Sequence, residues 1–280
     1  MRKKVVILIV IVFFGVLLAS LNSFFQKKLL QSDNEIMCSI ASNIIVIQKD
    51  DKGVGLLVDT LENNKWGCRF KAMKALEKIG GTQVVREIEN KFSKKNSIAK
   101  WHMILILEKI NSQDSMALIV SALSDNDESI RAEAARCLGD LKAHGAADRL
   151  RYLVLNDKSD LVRSEAAVAL AKSGDHETKK ILISYLDNDT LKIKINSVIG
   201  LAFIKNDSDV IPALVGCLRK NNNYDLRYLC IKVLRRLTSE SIEKLTGKSE
   251  DFWLKNSDNS GKTLYVGNIT TKSEQVAGAK

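Results

Sequence analysis

A basic residue recurs along this chain at Arg69, Lys100, Arg131, Arg163, Lys194 and Arg227, at intervals of 31, 31, 32, 31 and 33 residues. Three positions after each stands Ala72, Met103, Ala134, Ala166, Ser197 or Cys230, and seven after stands Leu76, Leu107, Leu138, Leu170, Leu201 or Leu234. Residues at these two offsets share one face of an α-helix, so every unit presents the same stripe to a neighbour. Eight residues before the basic position, Leu61, Phe92, Leu123, Leu155 and Leu186 close an earlier apolar segment. Four before it stand Asn96, Asp127, Ser159, Thr190 and Asn223, whose side-chain oxygens can accept the free N–H groups of a helix start; only Lys65 breaks that column. Each unit is thus two helices joined by a short polar turn, and a run of such units stacks into an array in which each contacts its neighbours.

Composition agrees, with a single proline (Pro212) and only 6% aromatic residues, which suits helix and argues against turn-punctuated strands. The units "DNDESIRAEAARCLGDL" and "NDKSDLVRSEAAVALAKSG" carry a pattern that resembles the HEAT repeat, especially the short HEAT-like type of phycobilisome lyases; "NNKWGCRFKAMKALEKIG" matches fairly. The resemblance covers about 51–247 and implies an all-α fold, a right-handed α-solenoid of about six two-helix HEAT-like repeats. It also implies a buried ladder in which an aspartate six residues before the arginine bonds to arginines along the stack. Asp125 with Arg131 and Asp157 with Arg163 fit that ladder, Asn63 and Asn221 fit it more weakly, and the unit with Lys94 and Lys100 lacks the acceptor.

Ahead of the array, "MRKKVVILIVIVFFGVLLASLNSFFQKK" places Arg2, Lys3 and Lys4 before an uncharged apolar run from Val5 to about Phe25. About 20 apolar residues are enough to span a bilayer. The pairs at which a signal peptidase needs small residues read Leu17 with Ala19 and Leu18 with Ser20, which favours an uncleaved transmembrane or signal-anchor helix over 1–28. The upstream basic cluster keeps the N-terminus in the cytoplasm, so the solenoid is expected outside it, periplasmic or extracellular; secretion after cleavage is the alternative.

Net charge is +10, yet the excess concentrates in 51–100, which carries 11 basic against six acidic residues, whereas 101–150 carries five against eight. That is not the footprint of a nucleic-acid binder. Cys38, Cys68, Cys137, Cys217 and Cys230 contain no C-x-x-C pair, and Cys217 with Cys230 is the nearby pair that one hairpin could juxtapose.

Enzymes occur among HEAT-like arrays. Deoxyhypusine hydroxylases are expected to hold a di-iron centre through His-Glu pairs after the arginine, and the matching positions here read Ala132-Glu133 and Ser164-Glu165, which removes both histidines. His176-Glu177 falls in a turn, and "TGKSED" lacks the upstream glycine of a phosphate loop. No cofactor or metal is expected. What remains is a surface. Positions two, five and nine after the basic residue are expected on the concave face, where Lys71, Lys74, His102, Glu133, Arg136, Glu165 and Lys232 are the candidate contacts for a protein partner.

The chain is accordingly read as an anchor (1–28), a linker or degenerate capping repeat (29–50), a solenoid (51–247) and a C-terminal cap and tail (248–280). Within 29–50, "NIIVIQ" reads either as part of a worn repeat or as a short strand, and Phe252 to Leu254 could fold back over the last unit. The expected function is a membrane-anchored, non-enzymatic protein-binding scaffold; the alternatives are a HEAT-like subunit of an enzyme complex such as a bilin lyase, and a nucleic-acid-binding solenoid.

Overall fold

The computed structural model describes residues 23–257 apart from 33, 189, 206 and 256. The described residues are helical, with no strand among them. They form two compact units, one ending at Leu141 and the other beginning at Lys142.

The first unit holds α1 (Ser23–Leu30), α2 (Glu35–Gln48), α3 (Asp51–Thr60), α4 (Trp66–Ile79), α5 (Gly81–Phe92), α6 (Ser97–Ile110), α7 (Gln113–Ala122) and α8 (Glu128–Asp140). Consecutive pairs form hairpins. Second helices α2, α4, α6 and α8 stack on one another in one layer, and first helices α1, α3, α5 and α7 stack in another. The second unit opens with a 3-10 turn (His144–Ala146) and holds α9 (Ala147–Asn156), α10 (Asp160–Lys172), α11 (Lys179–Tyr185), α12 (Leu191–Leu201), α13 (Val210–Lys220), α14 (Tyr224–Leu237), α15 (Ile242–Thr246) and α16 (Glu250–Lys255). Within it, α10, α12 and α14 stack in the same way. No helix of the described residues is long and apolar enough to cross a membrane; the expected anchor lies, up to residue 22, outside them.

The periodic stripe is the core. All six residues at the third position and all six leucines at the seventh are 0% exposed. Burying a leucine stabilises by roughly 1.5–3 kcal/mol, and here that gain repeats at every seam. The stripe extends one unit earlier than the basic column does. Cys38, Ala41 and Ile45 occupy the same offsets 31 residues before Arg69 and are fully buried, so α1 and α2 make a seventh hairpin among the described residues. "NIIVIQ" is helical: the 3.6-residue spacing of buried positions and packing on α4 overrode its β-branched composition.

Two local expectations fail. Leu155 is 72% exposed, because in that hairpin Leu153 and Val154 take the buried face. Asn96, Asp127 and Asn223 cap their helices, accepting from the N–H groups of Ala99, Ser129 and Leu226, but Ser159 and Thr190 make no such bond. At the C-terminus the fold-back is present: Trp253 is buried, and its indole N–H donates to Thr246 Oγ1 at 3.0 Å. The Gly-Lys-Ser stretch is a helix stop, with Gly247 at φ +75° terminating α15.

Candidate partner-binding surface

The arginine column closes turns. Arg69, Arg131 and Arg163 each donate Nη1–H to the main-chain carbonyl six residues earlier, at Asn63 (2.7 Å), Asp125 (2.9 Å) and Asp157 (2.6 Å), and Arg227 donates to the Asn221 carbonyl. These carbonyls follow the last turn of a first helix and have no intrahelical partner, so the guanidinium satisfies them. The side chain six residues back makes the matching turn from its own side: Asn63, Asp125, Asp157 and Asn188 accept from the N–H two residues on. The within-unit part of the expected ladder is thus arginine to carbonyl. Rungs along the stack include two from lysine: Lys100 donates to the Asp125 carboxylate at 2.7 Å and Lys194 to Asn221 at 2.8 Å, so the unit thought unable to join contributes a rung.

The candidate contacts divide by position. Those two places after the basic residue lie toward the seams. His102 is 2% exposed rather than surface-facing, and its Nδ1–H donates to the Ile98 carbonyl, leaving Nε2 buried without a partner. Burial, reinforced by the Arg69 charge and opposed by that bond, lowers its pKa. Glu133 accepts two bonds from Arg136, which also reaches Glu108 at 3.1 Å and pairs with Asp140. Burial pushes the Cys137 thiol in that network up, opposed by the Arg136 charge and reinforced by the neighbouring Glu108 and Glu133 carboxylates. Glu165 accepts from Asn196 at 2.9 Å, across the α10–α12 seam. Lys74 is half exposed and pairs with Glu77, while Lys71 and Lys232 are partly buried. Arg136, Glu133 and Glu165 therefore hold neighbouring helices together, and Lys74 is the most open of the set.

The basic excess of 51–100 is partly absorbed on the other layer. Lys91 from α5 and Lys95 from the turn that follows it bond Asp59 on α3, and Lys95 also bonds Glu62 beyond that helix. Burial alone would raise the Asp59 pKa, but bonds from Lys95 and Lys91 hold it below the ordinary value; the Lys95 bond does the same for Glu62.

Sequence reasoning missed two features. Cys38 and Cys68 form a disulfide joining α2 to α4. Cys217 and Cys230 sit on the packed helices α13 and α14, as expected of one hairpin, but both are buried free thiols. Offsets could have found the bridge, since Cys38 falls in the column of the basic residue and Cys68 one place before it in the next unit. The second feature is a cluster of exposed bulky apolar side chains at the starts of α2, α4 and α6: Ile36, Ile40, Trp66, Phe70, Ile98 and Trp101. Of the 14 exposed large apolar residues among those described, ten lie between Phe24 and Trp101. Scattered exposed apolar residues are ordinary, whereas a contiguous group marks an interaction surface.

No group of three His, Cys, Asp or Glu residues able to hold a metal occurs among the described residues. The positions after the arginine hold a buried Ala132 and the Ser164 hydroxyl, which donates to the Leu161 carbonyl.

Stacked two-helix units with a buried ladder define a helical-repeat protein. The family profile for HEAT repeats matches residues 85–171 and 152–235, more than half of the sequence, and the chain belongs to that family. It is 28% identical over 137 residues to deoxyhypusine hydroxylase of Candida albicans, covering 49% of this chain and 36% of that protein. It is 38% identical over 65 residues to the bilin biosynthesis protein MpeU of Synechococcus sp., covering 23% of this chain and 22% of that one. The chain thus spans little more than a third, or less, of the length of these curated relatives. Similar solved structures include the CpcE–CpcF complex of phycocyanin lyase from Nostoc sp. (16% identity, TM-score 0.42, covering 78% of this chain and 95% of that one). Another is human deoxyhypusine hydroxylase with glycerol (14% identity, TM-score 0.33, covering 68% and 88%).

Proposed function

We propose that this HEAT-repeat protein is a membrane-anchored scaffold, held outside the cytoplasm, that binds a partner protein on exposed second-helix faces and performs no catalysis of its own. The observation that carries the reading is the apolar cluster on α2, α4 and α6, since aromatic anchors dominate the energetics of protein interfaces. The Val5–Phe25 run with its upstream basic residues supports the anchor. The Cys38–Cys68 disulfide supports an oxidising compartment, where such bonds persist.

Two experiments test it. A reporter active only after export, fused after Lys280, should be active; activity of the cytoplasmic counterpart instead would sink the location. The affinity-tagged full chain, extracted in detergent, should carry a stoichiometric partner protein that a Trp66→Ala/Trp101→Ala chain of unchanged helicity fails to carry. Equal recovery with both chains would reject the surface.

A second reading, a HEAT-like subunit of a bilin lyase, is favoured by the local 38% identity to the bilin biosynthesis protein. It predicts that the purified chain binds a linear tetrapyrrole with a visible absorbance change, and no change would set it aside. Nucleic-acid binding loses ground, because Lys91 and Lys95 are paired with Asp59 and Glu62.

A further inference from the structure

We infer that the exposed face of α2, α4 and α6 is a preformed seat for an acidic amphipathic helix of the partner protein, fixed in register by the Cys38–Cys68 disulfide. The inference rests on the scaffold reading and gives it a partner chemistry.

The apolar half of the seat is continuous across helices. The rings of Trp66 and Phe70 on α4 are 6.0 Å apart, Trp66 is 5.9 Å from His102, and His102 packs edge-on against Trp101 at 5.1 Å on α6. The start of α2 joins from the other side, where the Glu35 side chain occupies the space that a Cβ at Gly67 would need. Ile36 and Ile40, one and five places after Glu35 on the same helix, are exposed beside that approach.

Further along the same helices the surface turns basic. Lys78 on α4 and Lys109 on α6 are exposed at the nine positions of their units, and Lys74, half exposed at the five position, is paired with Glu77. With a rise of about 1.5 Å per residue, Trp66 and Lys78 are roughly 18 Å apart along α4. Apolar anchors at one end and cations at the other match a helix with an apolar stripe and an acidic flank.

The disulfide lies directly beneath the seat. Cys38 falls between Ile36 and Ile40, Cys68 falls between Trp66 and Phe70, and both cysteines are 0% exposed. It therefore sets the spacing of the α2 and α4 rows, and a seat held in its bound geometry loses less freedom on binding.

The test places a benzoylphenylalanine photo-cross-linker at Trp101 or Phe70 of the full chain in its own cells, with Tyr152 and Lys232 as comparison sites, and maps each adduct by mass spectrometry. Adducts at 101 and 70 should fall in a partner segment with a 3.6-residue apolar stripe and net acidic flanks. Yield should drop at least fivefold in Lys74→Glu/Lys78→Glu and in Cys38→Ser/Cys68→Ser chains whose helicity is unchanged. Adducts at 70 and 101 to lipid, to a second copy of this chain, or to nothing would overturn the inference. A partner captured at Lys232 but not at 101 would overturn it while sparing the scaffold reading; no protein at any site would overturn both.

Discussion

The second helices α4 and α6 of the first unit and α10 and α12 of the second bury the same stripe and expose different chemistry. One place after the basic residue, the first pair carries Phe70 and Trp101, 36% and 37% exposed, and the second pair carries Ser164 and Ile195, both buried. Nine places after it, Lys78 and Lys109 are exposed, whereas Lys172 lies against the Phe203 ring, with Arg236 of α14 also over that ring. At these two places α10 and α12 satisfy their side chains internally, whereas α4 and α6 leave theirs open. Stacking needs the constant columns, so recognition is free to use the others.

The largest effect should fall on what the units share. Leu76→Ala and Leu201→Ala should each cost about 2–5 kcal/mol in chemical denaturation, because both leucines are fully buried; a cost in only one unit would break the shared-core half of the comparison.

The disulfide comes next and should separate the units. Bridging residues 30 apart, it should contribute roughly 2–4 kcal/mol, felt in the first unit alone. Hydrogen exchange of the Cys38→Ser/Cys68→Ser chain reads this amide by amide, and equal loss of protection in α10 and α12 would count against it.

Arg136→Gln should cost about 1–3 kcal/mol, because it strands the partly buried Glu108 and Glu133. A neutral result would return Arg136 to the list of partner contacts.

Acid should weaken the packing of α3 on α5 in the first unit. The Asp59 and Glu62 pKa values are lowered on folding, so their contribution is present above the unfolded values near 4 and is lost as pH falls through the lowered ones. Melts of the full chain between pH 7 and pH 2.5 should show this shift, and Lys95→Met should reduce it. The smallest stability effect is expected of Trp66→Ala/Trp101→Ala, about 0.5 kcal/mol or less per site, while partner binding is lost; a larger destabilisation would make those rings structural.

Much of this was legible from spacing alone. A period near 31 residues, with small and leucine positions on one helix face, could bury its stripe only against copies of itself, and the columns named the core residue by residue. The worn first repeat was legible too, at Cys38, Ala41 and Ile45, although its β-branched run left a strand open as an alternative. Three matters needed the tertiary structure. Whether His102 and Arg136 face solvent or a seam depends on how far neighbouring helices slide past one another, which no offset within one helix records. The Cys38–Cys68 bond joins residues 30 apart that meet only after two hairpins stack, so proximity in sequence pointed instead to Cys217 and Cys230. The seat is likewise built from three helices whose aromatic and aliphatic residues look like ordinary core in sequence; only packing shows that, among the described residues, these side chains stay exposed.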